Sequence, residues 1–572
     1  MNPLSVRGVA CLSLLPLLLA AIPAIAQQAP DAGQLLRQQP KLPSLPSAPP
    51  AQDLTPKAAE PQAESAGPRV LVKGFRFAGA TLVAEGELQA QLAEAVGKEY
   101  SFQQLQGMAL QLIGYYAQKG YLARVFIAPQ GFTDGTVTFT IVEGKLGELK
   151  LDTNIDSSRI DAARLQRFLA ARLQPGEKLS LAAVGETMNV LNEQPGIQAR
   201  AALKPGKGEG EIDLTIAATA TPPTSYGFQL NNSGTRATGE LQLTGNLALN
   251  NPIGHFDRAV LLFNAADGIA FLNGDYGIAV GDRGLRLGAN ASKLRYRVTE
   301  SSQSALQGKG HADTLGVYAS YPLERLTQSQ LTLTTSLNRR HMKDDAVAVE
   351  TSNRTVTVGN IAVSGWRFNP ALAGVTNYGL DLSTGKTDRS GNAGDLNQDQ
   401  LGRRSDGGFT KLAWRAGHFA PLADSWNLYA NLSGQFTNRN LESSERFTLG
   451  GPNGVRAYPV SEGSGDEGWL LNLNLSHPIG DTLAVKFFID HGQIRLNKTL
   501  WAGWNDGNPN QPNRYALSGI GGSIDWEIDK NLSLGVTLAV PLGKNPGRDS
   551  TGLDADGRHT NARLWAGLSA NF

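Results

Sequence analysis

From Ser225 to the C-terminus the chain alternates apolar and polar residues in short segments. Tyr226, Phe228 and Leu230 are spaced two apart, as are Leu241 and Leu243, Leu247 and Leu249, Leu331 and Leu333, and Leu471, Leu473 and Leu475. Gln242, Thr244 and Asn246, then Thr332, Thr334 and Ser336, then Asn472, Asn474 and Ser476 fill the intervening positions. A period of two with polar partners sends one face to lipid and the other to water, which only a closed barrel does without unpaired backbone in hydrocarbon. Sixteen such segments are counted. Their links are tight near Asn251–Phe256, Gly281–Gly284, Pro322–Thr327, Pro421–Ser425, Pro478–Thr482 and Asp529–Asn531, and most intervening ones are long. Short inner turns and long outer loops predict a 16-stranded antiparallel transmembrane β-barrel over 224–572, a pattern a soluble sandwich does not explain.

Ahead of the barrel the pattern changes to helical spacing and repeats once. In the unit 69–145 a strand near Val70–Phe77 precedes helices near Glu85–Val96 and from Ser101, then strands Ala123–Ala128 and Thr136–Val142. Ser101 with Gln104 forms a capping box, and Leu105, Met108 and Leu112 make an apolar stripe. The unit 146–220 repeats the order with Leu146–Leu151, helices near Arg159–Leu173 and Leu181–Asn192, and strands near Ile197–Leu203 and Glu211–Ala217. Each unit has roughly 75 residues, enough for a small α+β core.

The start of the chain sets the compartment. Arg7 leads an apolar run ending at Ala24-Ile25-Ala26, so 1–26 reads as a secretory signal peptide. Residues 27–68 divide into a short helix capped by Asp31 and a Pro/Ala/Ser-rich linker. The single cysteine, Cys11, lies inside the signal, so the exported chain is expected to hold no disulfide and no cysteine nucleophile. No later apolar run reaches the roughly 18 residues of a spanning helix.

Composition adds little. Charged residues are 18% and the net charge is +1, so no global field points to nucleic acid. Neither HExxH, GxSxG nor GxxxxGK[ST] occurs, and Gly206–Gly210 reads as a turn, so no enzyme, metal or cofactor is expected. Asp554-Ala555-Asp556-Gly557 starts like a calcium loop but lacks the downstream Glu, and is expected to cap an exposed loop.

Several motifs together resemble the TpsB transporters of two-partner secretion, the haemolysin secretion/activation family of ShlB/FhaC/HecB type. Gly120-Tyr121-Leu122-Ala123-Arg124-Val125 through Val142-Glu143-Gly144 resembles their first POTRA domain, and Leu173-Gln174-Pro175-Gly176 through Pro195-Gly196 their second. Asn231-Asn232-Ser233-Gly234 and Asn251-Pro252-Ile253-Gly254 resemble the first barrel hairpin. Gly454-Val455-Arg456-Ala457-Tyr458 resembles the signature of the sixth outer loop, and Phe488-Ile489-Asp490-His491-Gly492 the matching strand signature. Counting agrees, with eleven segments before Arg456 and five after it. Alternation sends Phe487 and Ile489 to lipid, hence Phe488 and Asp490 to the lumen, where a carboxylate is tolerated.

The resemblance implies a translocation pore in the outer membrane of a Gram-negative bacterium. It implies POTRA domains in the periplasm that receive an unfolded TpsA-type exoprotein, and a resting pore occupied by the N-terminal helix and loop six. It also implies that Gly454, Val455, Arg456 and Tyr458 form a gating loop whose Arg456 pairs with Asp490 in the motif of Phe488, Asp490 and Gly492. The Sec translocon would export the chain, and terminal Phe572 would be the signal read by the barrel assembly machinery before insertion into outer-membrane lipid. The family has Gly where Ala457 stands, so a positive φ there would strain the loop. The alternative functions are a barrel-insertion factor, which normally carries more POTRA units, and a porin-like channel.

Overall fold

The computed structural model describes residues 30–42, 69–132, 134–153, 161–301 and 307–572. The expected signal peptide, the linker beyond residue 42 and Arg159 lie outside the described residues.

Helix α1 (Ala32–Gln38) begins where the Asp31 carboxylate accepts from the Gln34 N–H at 2.8 Å. The first periplasmic unit follows. Its expected first strand is two, because the chain changes partners at Val72. β1 (Arg69–Leu71) pairs with β3 (Glu99–Ser101), whereas β2 (Gly74–Ala78) runs parallel to β5 (Thr136–Glu143). Helix α2 (Glu85–Gln91) is shorter than expected and gives way to a single tight turn at Ala93–Ala95 before Gly97, whose φ is +86°. Helix α3 (Phe102–Gln118) carries the expected capping box, and β4 (Ala123–Phe126) completes a sheet ordered β2-β5-β4. Leu88, Leu105, Leu112, Tyr116 and Phe139 fill its core.

The second unit repeats the plan with β6 (Lys145–Thr153), α4 (Ala162–Ala170), α5 (Leu181–Asn192), β7 (Ile197–Pro205) and β8 (Glu211–Ala220), ordered β6-β8-β7. α4 starts at Asp161, whose side chain accepts from Ala163 N at 2.9 Å and Arg164 N at 3.2 Å. Glu143 ties the two units together. It accepts from the backbone of Thr81 and Leu82, both at 2.6 Å, from Tyr116 Oη at 3.2 Å, and from Lys178 Nζ of the second unit at 2.9 Å. Gly144 beside it has no room for a side chain, since a Cβ would fall 2.9 Å from Leu122 O and 2.7 Å from Ile212.

The second unit is docked on the barrel by arginines. Arg325 at an inner strand end lies 2.6 Å from Glu193 and its carbonyl accepts from Asn189 Nδ2 at 2.9 Å. Arg286 donates to Gln194 Oε1 at 3.3 Å and to Phe256 O at 2.9 Å. Phe256 of a barrel turn and Ala279 near the inner end of the strand Ile269–Val280 join the core formed by α4 and α5.

Sixteen strands close the barrel antiparallel, from the first (Thr224–Asn231) to the sixteenth (Arg563–Asn571). Among the described residues no helix is long and apolar enough to cross a membrane. The strand ends meet at the seam, where Tyr226 and Phe572 exchange backbone hydrogen bonds of 3.0 and 2.8 Å and their rings stack at 5.2 Å. Two outer links are shorter than the rest. Asp267–Gly268 and Val347–Ala348 are two-residue hairpins, the latter with φ of +49° and +60°, the left-handed pair whose twist matches flanking strands. At Val347–Ala348 the sheet itself rises, and the eighth strand (Val349–Asn369) has 21 residues.

Burial disfavours ionised Glu143, but the hydrogen bonds from Thr81 and Leu82 and the Lys178 ammonium outweigh it and hold the carboxyl at about 2. Its folded value is depressed, so its contribution is present above about 4.5 and is lost as the pH falls toward 2. Glu143→Ala is expected to lower the opening free energy of this junction by about 2 kcal/mol. Amide exchange at Thr81 and Leu82 in the full chain measures it, and unchanged protection would show that Glu143 is not the tie.

Candidate functional site

The lumen is filled by two elements. Helix α1 lies against the inner wall, with Ala32 and Leu35 packed among Leu262, Phe271, Leu294 and Met342. Its first turn is anchored by charge. The Ala32 N–H donates to Asp344 Oδ1 at 2.8 Å, and Arg354 reaches Asp344 at 2.7 Å, Glu442 at 3.1 Å and Asp31 at 3.3 Å. One guanidinium thus serves wall, loop and helix, and its rigid fork suits several carboxylates at once. Gly33 allows the approach, because a Cβ there would sit 2.4 Å from Ser443 Oγ.

The second element is the link between the eleventh (Asn427–Thr437) and twelfth (Glu467–Ile479) strands, which folds back inward as a hairpin. Phe447–Thr448 pairs with Ser464–Gly465, and the tip between them presses Leu449, Val455, Ala457 and Tyr458 against Leu470, Phe488, Tyr515 and Leu517. The expected strand count and inward return of this loop are both present.

At its tip Arg456 meets Asp490. Arg456 Nε donates to Asp490 Oδ2 at 2.8 Å and Nη2 to Oδ1 at 2.6 Å, the two-point geometry of a guanidinium on a carboxylate. The Arg456 N–H adds a bond at 3.0 Å and Asn472 Nδ2 another at 2.7 Å, so the fully buried Asp490 accepts four. The guanidinium lies 3.4 Å above the Phe488 ring, and Trp565 Nε1 donates to Arg456 O at 2.8 Å. Phe487 and Ile489 face outward as alternation requires, at 54% and 48% exposure.

The remaining motif residues shape this contact. Gly454 O accepts from Asn472 Nδ2 at 2.9 Å, and a Cβ on Gly454 would strike Leu449 O at 1.9 Å. Gly492 leaves space for Leu449, whose Cδ2 would be 2.6 Å from an added Cβ. Tyr458 is buried in the cluster. Ala457 does not have a positive φ, so the strain expected from a missing glycine does not arise. Its methyl is accommodated across the lumen wall by Gly519, where a Cβ would come within 2.7 Å of it. Phe572 lies apart from this site, at the seam.

Sequence reasoning missed Asn472, Trp565 and Gly519. Asn472 was within reach, because the tight turn after Ile479 sets Asn472 directly across from Asp490, and Asp490 across from Gly519. It also missed that the loop is fastened to helix and outer loops alike. Ser443 Oγ donates to Asp31 at 2.7 Å and Gln38 Nε2 to Ser461 Oγ at 2.6 Å. Buried Glu462 accepts from Asn545 at 3.0 Å and from Ala555 N at 2.7 Å. Asp554 is buried too, accepting from Arg548 at 2.9 Å, so this segment braces loop six rather than capping an exposed loop. Above the two elements an outward cavity of about 1060 Å³ remains, lined by Gln34, Arg446, Ser461 and Trp565 among others.

Comparison with known proteins places this architecture. Residues 210–517 match the model of the haemolysin secretion/activation protein ShlB/FhaC/HecB, and 70–144 match the ShlB-type POTRA domain. The heme/hemopexin transporter protein HuxB of Haemophilus influenzae strain 86-028NP is 26% identical over 90% of this chain and 92% of its own. The outer membrane transporter CdiB of Dickeya dadantii strain 3937 is 25% identical over 76% of this chain and 80% of its own. The structure of CdiB from Escherichia coli superposes with a TM-score of 0.67 at 20% identity, covering 91% of this chain and 93% of that one. A closed barrel, its inward sixth loop and its periplasmic modules thus occur in a chain that belongs to the haemolysin secretion/activation family ShlB/FhaC/HecB, the outer-membrane transporters of two-partner secretion.

Proposed function

We propose that this transporter exports one large TpsA-type exoprotein, taken unfolded from the periplasm by the two docked modules and passed through the lumen. The observation that carries the reading is how the lumen is closed. Helix α1 and loop six are held by ion pairs and hydrogen bonds to the wall, notably Arg354 to three carboxylates and Arg456 to Asp490. Such contacts are directional and exchangeable with water or with a passing backbone, so release does not require the ladder to open. The relatives' names describe transporters of heme/hemopexin or of haemolysin, and the partner of this chain is proposed to be of that exoprotein class. Family membership supports transport as the activity of this chain.

Gly454, Val455, Arg456 and Tyr458 are the proposed gating tip, with Phe488, Asp490 and Gly492 as its seat and Asn472 as a further holder. Biogenesis is proposed to pass through the Sec translocon and the barrel assembly machinery, the latter reading Phe572 and its alternating strand, before the barrel enters outer-membrane lipid.

Three measurements test this. With Cys11→Ser, a single Val455→Cys is expected to react slowly with a maleimide, and adding Arg456→Ala to speed it about tenfold or more, as loss of one charged pair implies. The same Arg456→Ala should leave a heat-modifiable barrel but cut exoprotein in the medium severalfold. Equal labelling and equal export would remove Arg456 as the latch. Deleting 70–218 is expected to abolish capture of the unfolded exoprotein in a pull-down while a pore remains in planar bilayers, and retained capture would move substrate recognition into the barrel.

A further inference from the structure

The outer wall carries a charge asymmetry that transport does not use. On the fifth (Leu285–Arg297), sixth (Lys309–Arg325) and seventh (Ser329–Ala346) strands the lipid-facing row Ala289, Val317, Leu337 is apolar, with Val317 and Leu337 more than half exposed. Moving outward, the next outward-facing row sets Leu315 beside Arg339. Two rows further the cross-strand neighbours are Arg295, His311 and Lys343, and the row beyond pairs Arg297 with Lys309. The strands that flank the seam behave differently. Leu542, Leu564, Leu230 and Leu241 keep the outer ends of the last two strands and the first two apolar and exposed.

Basic side chains directly opposite one another on a sheet are unfavourable. Within this strip Asp313 is engaged by Lys293 at 3.0 Å and Glu350 by Lys343 at 2.7 Å, and Asp345 stands across from Lys309. Among the described residues Arg295, Lys309 and Arg339 form no salt bridge. An outward-facing strip of cations, stacked on the edge of the apolar band, stands at the level of the outer-leaflet headgroups. Arginine forks bind phosphate by two-point contacts, and juxtaposed basic residues at a membrane surface attract anionic lipid.

We propose that this strip binds the phosphorylated sugar headgroup of a lipopolysaccharide molecule in the outer leaflet, with Arg295, Lys309 and Arg339 as the phosphate contacts. The phosphates relieve the like-charge rows, and the acyl chains lie against Leu315, Val317 and Leu337 directly below. The lipid would fix the barrel's height and rotation in the membrane on the side away from the seam.

The test uses the full-length barrel in detergent, freed of co-purified lipid, with deep-rough lipopolysaccharide, the same lipopolysaccharide dephosphorylated by acid, and inorganic phosphate as probes. Native mass spectrometry counts bound lipid, and heat-modifiable gel mobility reports the closed barrel. The wild-type chain is expected to retain the phosphorylated form and to bind the dephosphorylated form about tenfold less, the equivalent of losing a charge-assisted contact. The triple variant Arg295→Gln, Lys309→Gln, Arg339→Gln is expected to lose the same preference, and Arg295→Lys with Arg339→Lys to keep most of it. Equal binding of both lipopolysaccharides by the wild-type chain overturns the proposal whether or not the variant folds. So does an unchanged preference in the folded triple variant. Displacement by inorganic phosphate at matched phosphate concentration would make the strip a simple anion site and overturn its assignment to lipid.

Discussion

A backbone inside hydrocarbon must bond to itself, and a sheet meets that demand only by closing. Everything else in this chain follows from closure with sixteen strands. A ring of that size is too wide for its own side chains to fill, so it encloses a polar lumen. A leak-tight transporter therefore needs separate stoppers, and those stoppers rest on a polar wall. Their adhesion is accordingly ionic. Arg354 and Asp490 are the two points where it concentrates, and both are almost wholly buried.

The wall also links the two ends of the molecule. The sixth and seventh strands carry Arg325 and its turn, where α5 docks at the periplasmic mouth, and further out Ala312, Met342 and Asp344, where α1 rests. A load arriving at the second periplasmic unit thus bears on the strands that hold the helix. Polar contacts at both places make the arrangement stiff and still separable.

Much of this was legible in the sequence because β alternation is a two-state signal. Once Phe487 and Ile489 were assigned to lipid, Asp490 had to face the lumen, and counting segments placed Arg456 in the right loop. The family resemblance then supplied the pairing, which spacing alone left open. What escaped were contacts between residues far apart in the chain. Trp565 on Arg456 O and Gly519 against Ala457 depend on the curvature that closes the ring, and no local pattern encodes it. The first strand was misread for a related reason: Val70 to Phe77 looks continuous, but its halves pair with β3 and β5, and strand partners are not written in periodicity. The Val347–Ala348 hairpin likewise hid behind unusually long strands.

Helix α1 is covalently part of the chain whose lumen it fills, and 26 residues separate Leu42 from Arg69. Fully extended they span at most about 90 Å. An expelled helix therefore remains confined to a volume that corresponds to an effective concentration on the order of 0.5 mM. Return of such a helix would be an intramolecular event, independent of how many transporters the membrane holds, so the pore would carry its own resealing reagent.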